Sequence, residues 1–337
     1  MNGSRKIWGN FLVWCVFYVF LFLILNYFYL LLLNQKAIYS RVNEDFEQYK
    51  PALEILILGD SHAQRGIYAP GLDGGFILAS GAENYLTMYS RLRDLELMPK
   101  KILLSFDLHS FGEDSISKDI AFWHWQKYMN VEEMVMATSR SRASVHINSR
   151  LPLLSNGVNF LRLIFAGETN LEKGYTGGDG WINLELLSDE ELNAGAFSTA
   201  NRHFSNDKNV IDEILVEAFL EILSLAEKEG IEVLLVKYPV TEEYYENAGK
   251  FVDVENYYRE IEDKLQGFDF EILDYHDLFW DNLSNFSDFD HLNNKGAMRF
   301  TEELRSLLGG VGNVCEEGFG KMYGILYSFW KTFTNLF

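Results

Sequence analysis

Glu54-Ile55-Leu56-Ile57-Leu58-Gly59-Asp60-Ser61-His62 carries an apolar run of strand type straight into Gly-Asp-Ser, which is turn chemistry. The run reads as a buried strand, and the turn leaves a hydroxyl exposed at its carboxyl end. In parallel α/β sheets that end gathers the reactive groups, because loops there vary while the strands hold position. A serine hydroxyl is a weak nucleophile until a base takes its proton. Ser61 as nucleophile therefore requires a histidine and an acid to orient it from elsewhere in the chain.

Working outward, apolar runs alternate with helical spacing. Strands are expected at 76–79, 101–106, 231–236 and 270–273, and helices at 83–98, 207–229, 242–265 and 295–308. The clearest helix is 207–229, where Ile211, Ile214, Leu215, Ala218, Phe219, Ile222, Leu223 and Ala226 share one face and Gly230 stops it. Strands separated by helices predict an α/β fold with a central parallel sheet covered on both faces. Residues 110–206 break the alternation and read as a mostly helical insertion with a glycine loop at 174–181. It either lies over the carboxyl end of the sheet, where insertions shape access, or packs elsewhere as an irregular extension.

The missing base stands in Ser287-Asp288-Phe289-Asp290-His291-Leu292-Asn293. Asp288 precedes His291 by three residues, a spacing that on one turn brings a carboxylate to the Nδ1 side of the ring and fixes its tautomer. Asp290, adjacent in sequence, normally points away and is the lesser orienter. Taken alone, Asp288, Asp290 and Asn293 read as loop and capping residues ahead of the last helix; taken with Ser61, His291 and Asp288 read as the base and its orienter. His62 is either a substrate contact or a surface residue. His109, His124, His146, His203 and His276 show no metal-ligand spacing and no cysteine cluster accompanies them, so no metal or other cofactor is expected.

Composition narrows the partners. The formal net charge is −20, from 49 acidic and 29 basic residues. Nucleic acid is thereby disfavoured as a partner, since phosphate backbones are held by lysine and arginine. The two cysteines, Cys15 and Cys315, are not expected to pair and do not fix the redox compartment.

From Trp8 to Leu33 the chain has no charged residue, with Arg5 and Lys6 before it and Lys36, Arg41, Glu44 and Asp45 after. About 20 apolar residues cross a bilayer core of about 30 Å. A cleaved signal peptide is the rival reading, with an apolar core of about 7–15 residues and small residues at the cut; here the run is longer and ends without them. The expectation is an uncleaved single-pass anchor over residues 1–34, N-terminus cytoplasmic, then a polar stalk over 35–52 and a catalytic domain over 53–310. Residues 311–337 form an apolar aromatic tail, read as an interfacial helix, with packing on the core or on a partner as the alternative.

Gly59-Asp60-Ser61 near the start of the globular part and Asp288-Phe289-Asp290-His291-Leu292-Asn293 near its end resemble the first and last blocks of the SGNH (GDSL-type) hydrolase superfamily. With the apolar N-terminus, Phe286 to Gly296 is closer to its membrane-anchored acyltransferase-like branch, that of the D-alanyl-lipoteichoic acid synthesis proteins. The resemblance covers roughly Glu54 to Leu308. It implies a flavodoxin-like three-layer sandwich and an oxyanion hole made by the Ser61 amide, a glycine after the second strand, matched by Gly81, and an asparagine after the third. Ser105-Phe106-Asp107-Leu108-His109-Ser110 has no asparagine, so Asn84 or a backbone amide takes that place or the hole has two donors. The function implied is a membrane-tethered serine esterase or O-acyltransferase facing the cell envelope. Its acceptor is expected to be a glycan or glycopolymer, with a multi-span membrane protein as possible acyl donor. The alternative is a non-catalytic scaffold of the same fold that binds glycan or such a membrane partner.

Overall fold

A computed structural model covers the chain, and the described residues are 2–81, 83–112, 121–165, 171–175, 182–205 and 211–308. The glycine loop beyond 175 and the aromatic tail lie outside them. Contacts divide the chain into Met1–Glu302 and Glu303–Phe337. Ser61, Asp288, His291 and the residues around them belong to the first unit.

The chain opens with α1 (Asn2–Lys36), of which Asn10–Lys36 is long and apolar enough to cross a membrane. The stretch expected as a polar stalk is instead α2 (Ile38–Tyr49), an amphipathic helix that buries Val42 and Phe46. The Phe46 ring lies 5.1 Å from that of Phe76, so this segment is packed onto the sheet. Its polar residues are the solvated face of a helix whose apolar residues are too few to stand out in composition.

There follow β1 (Ile55–Leu58), α3 (Ser61–Gly66), β2 (Gly75–Ile77), α4 (Tyr85–Arg93) and β3 (Lys101–Ser105). The insertion supplies α5 (Phe122–Trp125), α6 (Val131–Thr138), α7 (Arg142–Arg150), α8 (Pro152–Phe165) and α9 (Asp189–Phe204). The chain then returns through α10 (Glu213–Glu229), β4 (Glu232–Lys237), α11 (Glu242–Ala248), α12 (Val254–Lys264), β5 (Glu271–Asp274) and α13 (Asn294–Leu307).

The five strands are all parallel, in the order β2-β1-β3-β4-β5. Ile55 pairs with Gly75 on one side and Lys101 on the other, and Lys101 pairs in turn with Glu232. Strand order reverses between β1 and β3, and right-handed crossovers from that point send helices to both faces. Such a reversal opens a crevice at the carboxyl ends of the two strands, where ligands of open α/β sheets bind. The core fits a sheet covered twice: Leu56, Ile57, Leu58, Ile102, Leu103 and Leu104 are all inaccessible to solvent.

Three helices differ from the sequence expectation. In the one expected at 207–229, Asp212 caps a start at Glu213 by accepting from the Ile214 amide at 2.8 Å, and Ile211, expected on its apolar face, pairs with Gly112 in an isolated bridge instead. The 83–98 helix is confined to α4, because Asn84 makes a reciprocal capping box with Thr87 and the chain closes at Asp94, whose amide reaches back to Arg91 and Leu92. The 242–265 helix is two, since Asp253 caps a fresh start by accepting from the Asn256 amide at 3.1 Å.

Candidate active site

Ser61 is the first residue of α3, directly past β1, and Asp60 is its N-cap. One Asp60 carboxylate oxygen accepts from the His62 amide at 2.9 Å, which folds the chain over at this point. Gly59 permits the turn because a Cβ there would collide with Ser105 Oγ and Ala63 Cβ. The seryl oxygen is thereby presented at the reversal point of the sheet.

The His291 loop is fixed by a different local device. Asp288 Oδ1 accepts from the amides of Asp290 (3.2 Å) and His291 (2.9 Å), and also meets His291 Nδ1 at 2.9 Å. One carboxylate oxygen thus shapes the turn and orients the ring, which is why the three-residue spacing suffices. Ser287 donates its amide to the His291 carbonyl at 2.8 Å, and the Asn293 amide group donates to the Ser284 and Phe286 carbonyls at 2.9 and 3.0 Å.

Across 230 positions of sequence, His291 Nε2 stands 2.8 Å from Ser61 Oγ. Ser61, His291 and Asp288 therefore form one hydrogen-bonded line. Asp290 is closer to this line than its neighbouring position suggests: its Oδ1 is 3.2 Å from His291 Nδ1, off the hydrogen-bond direction that Asp288 occupies. Burial works to lower the pKa of His291, but the Asp290 charge and the Asp288 and Asp290 contacts outweigh it and hold it above the usual value.

Beneath the serine lies a second set of charges that linear spacing does not show. His62 is not at the surface: its side chain is 1% exposed, with Nδ1 3.2 Å from Asp107 Oδ2 and Nε2 3.7 Å from Asp290 Oδ2. Both lie at ion-pair distance without hydrogen-bond alignment. Burial disfavours its charged form, yet Asp107, Asp290 and Asp60 together push its pKa well above the ordinary value. Asp60 Oδ2 meets His109 Nε2 at 2.8 Å, and His109 stacks on His203 with centroids 4.9 Å apart. Burial would raise Asp60, but His109 and then His62 pull its carboxyl well below the carboxylate range. His203 is the exception. Burial, reinforced by the His109 charge, lowers it to about 3, and its Nδ1 meets the Tyr244 hydroxyl at 2.8 Å.

Among the described residues, two groups of three place donor atoms within 4.8 Å of one another, Asp60/His62/His109 and His62/Asp290/His291. Either set has ligand types suited to a divalent transition metal. Each imidazole in them already faces a carboxylate at 3.7 Å or less, so mutual ion pairing accounts for the arrangement without a cation.

The oxyanion donors expected by resemblance have other partners. Gly81 does sit beside Ser61, whose Cβ is 4.0 Å from the point where the Gly81 Cβ would be. Its amide, however, donates to Gln64 Oε1 at 3.0 Å. Asn84 uses Oδ1 to cap α4, accepting from the Thr87 amide at 3.1 Å, and donates Nδ2 to the Ala137 carbonyl at 3.4 Å. Ser61, as the first residue of a helix, has an amide with no partner inside the helix.

The insertion closes on the His291 loop. Ile182 donates its amide to the Ser287 carbonyl at 3.1 Å, and His203 Nε2 is 3.8 Å from Asp290 Oδ2. Gly195 of α9 lies so near the Phe289 ring that a Cβ would overlap it. Sequence reasoning left His62 as a substrate contact or a surface residue rather than a buried one, and missed Asp107, His109 and His203 as neighbours of Ser61. The one available signal was that each of the first three follows a strand. Comparison with known proteins finds no family model that matches the chain and no curated protein that matches it.

Proposed function

We propose that the protein is a membrane-tethered serine esterase or O-acyltransferase of SGNH type, acting through an acyl-serine on ester groups of a cell-envelope glycan or glycopolymer. The observation that carries this reading is the Ser61–His291–Asp288 line, with 2.8 and 2.9 Å links and a pKa of His291 held above its usual value. A hydroxyl, a base and an orienting acid in this order are what nucleophilic acyl transfer requires.

In the proposed cycle His291 Nε2 takes the Ser61 proton as Oγ attacks the carbonyl carbon. The C=O π pair moves to oxygen, held by the Ser61 amide and by the Gly81 amide once it turns from Gln64. Collapse expels the alcohol, which leaves with the proton from His291. Water or a sugar hydroxyl then attacks the acyl-serine, giving its proton to His291, and Ser61 is regenerated with that proton. Asp288 fixes the tautomer throughout and stabilises the imidazolium.

Support for the tether is the length and apolar character of Asn10–Lys36. The reading places the domain outside the cytoplasm, following the basic residues ahead of the helix. The test is p-nitrophenyl acetate hydrolysis by the reconstituted full chain, with and without an added glycan acceptor. Ser61→Ala and His291→Ala are expected to remove at least a thousand-fold of the rate, on the order found for such dyads. Activity undiminished in Ser61→Ala would exclude the acyl-serine.

One observation favours a second reading. The Gly81 amide and the Asn84 side chain are both engaged, and loss of a single oxyanion donor costs about 2.7–4 kcal/mol. A non-catalytic scaffold binding glycan or a multi-span acyltransferase has no need of those donors. It predicts no turnover with any ester, and glycan or partner binding that survives Ser61→Ala.

A further inference from the structure

Helix α8 is packed against the part of α1 that a bilayer would be expected to surround. The Tyr29 and Phe160 rings meet edge to face at 5.5 Å, and Tyr29, Leu33, Ala37 and Trp123 form a cluster to which Leu153, Phe160 and Leu163 add. Asn26, a polar residue within the apolar run, is bonded on both its amide nitrogen and its oxygen by the α7–α8 hairpin. Its Nδ2 donates to the Arg150 carbonyl at 3.0 Å and its Oδ1 accepts from the Leu153 amide at 3.2 Å. At the other end Lys36 Nζ reaches the Ile164 carbonyl at 3.3 Å. The two helices therefore run side by side and in the same direction from Asn26 to Lys36.

Depth follows from helix rise. Asn26 lies seven residues before Leu33, the end of the uncharged run, or about 10 Å at about 1.5 Å per residue. The hairpin tip, Arg150 to Leu153, shares that level. Polar backbone groups at such a depth must be satisfied by protein, and the Asn26 pairings do this for the Arg150 carbonyl and the Leu153 amide, while the exposed Arg150 side chain must carry its charge back to the headgroups along its stem. The outer face of α8 is apolar as well: Leu154, Leu161 and Phe165 are 60%, 61% and 83% exposed. Tyr27 and Phe28 of α1 are also exposed, at 65% and 50%. Arg162 is exposed among these residues, on a stem long enough to carry its charge to the headgroups.

We propose that the α7–α8 hairpin is a membrane-inserted element, its tip entering the leaflet on the side of the globular domain and its outer face covered by lipid. The proposal rests on α1 crossing the bilayer and is independent of the chemistry at Ser61. The catalytic domain would then be seated on the membrane by two helices rather than swinging from one.

The test is spin-label depth measurement on the full chain in phosphatidylcholine–phosphatidylglycerol vesicles, in a Cys15→Ser, Cys315→Ser background. Labels go singly at Leu154→Cys, Leu161→Cys, Phe165→Cys, at Phe20→Cys in α1, and at Ser224→Cys on the exposed face of α10. These side chains are exposed, so labelling leaves the packing intact, and circular dichroism checks this for each variant. Collisions with oxygen are expected to exceed those with a water-soluble nickel chelate several-fold at 20, 154 and 161. The excess should be greatest at 20, smaller at 165, and reversed at 224. If 154 and 161 match 224 while 20 stays protected, the hairpin lies outside the bilayer and the inference is overturned. If 20 matches 224 as well, the spanning reading of α1 falls with it.

Discussion

Asp290 separates two accounts of how His291 is tuned. The sequence favoured Asp288 over Asp290 as the orienter, and Asp288 does hold the hydrogen bond to Nδ1. Asp290 nevertheless contributes the larger charge effect on the ring, while its own carboxyl is driven well below the carboxylate range despite burial, first by His291 and then by His62 and His203. His291 must be neutral to act as a base, so esterase activity is expected to rise with pH through a midpoint above about 6.5. Asp290→Asn removes the charge and keeps the shape. Its pH–rate profile should move to lower pH, with activity at high pH largely retained, whereas Asp288→Asn should lower the plateau itself by misorienting the ring. A profile unmoved by Asp290→Asn would show that the charge does not reach the base. These distinctions were invisible in the sequence for a physical reason. The Asx turn that places Asp288 is local, but the position of Asp290 depends on His62 and His203, brought there by the sheet and by α9.

At the scale of elements, α9 and the His291 loop form one packed unit. Gly195→Ala is expected to push the Phe289 ring aside, cost about 1–3 kcal/mol of stability and lengthen the Asp288–His291–Ser61 line. A fall in kcat with little change in KM is the expected kinetic signature; an unchanged kcat would mean that the loop absorbs the methyl group. The turn before α4 carries a second buried charge problem. Burial raises Glu83 to about 8, Arg91 opposes this from 3.7 Å, and Asp60 adds to the rise. Because the folded pKa lies above the ordinary 4.5, Glu83 contributes stability below pH 4.5 and loses it as pH climbs through about 8. Denaturant unfolding at pH 5 and pH 9 should show a loss of a few kcal/mol in the parent that is largely absent in Glu83→Gln, at about 1.4 kcal/mol per pKa unit. Equal losses in both proteins would place the titration elsewhere. The strands were legible because apolar runs ending in turn residues are local signals. The break between α11 and α12 depends on one aspartate cap, and α2 on a few buried residues, and neither disturbs average composition.

For the molecule as a whole, β1 and the reversal of strand order set the place of the candidate site, and the loops after β1 and β3 and before α13 converge there. The sequence indicated a parallel sheet and both ends of the Ser61–His291 pair, since each end sits in self-capping local structure. It could not indicate the cluster of His62, Asp107, His109 and His203, because their encounter follows from strand order and from a helix of the insertion. Nor did it show that α1 is partnered by α8, since helix pairing leaves no trace in hydropathy. The measurement that bears most directly on the central claim is labelling of the native, membrane-reconstituted chain with a fluorophosphonate, followed by peptide mapping. The account predicts one adduct, on Ser61, forming faster as pH rises through the His291 titration and absent in His291→Ala. No adduct, or an adduct on another residue while Ser61 stays unmodified in folded protein, would contradict it.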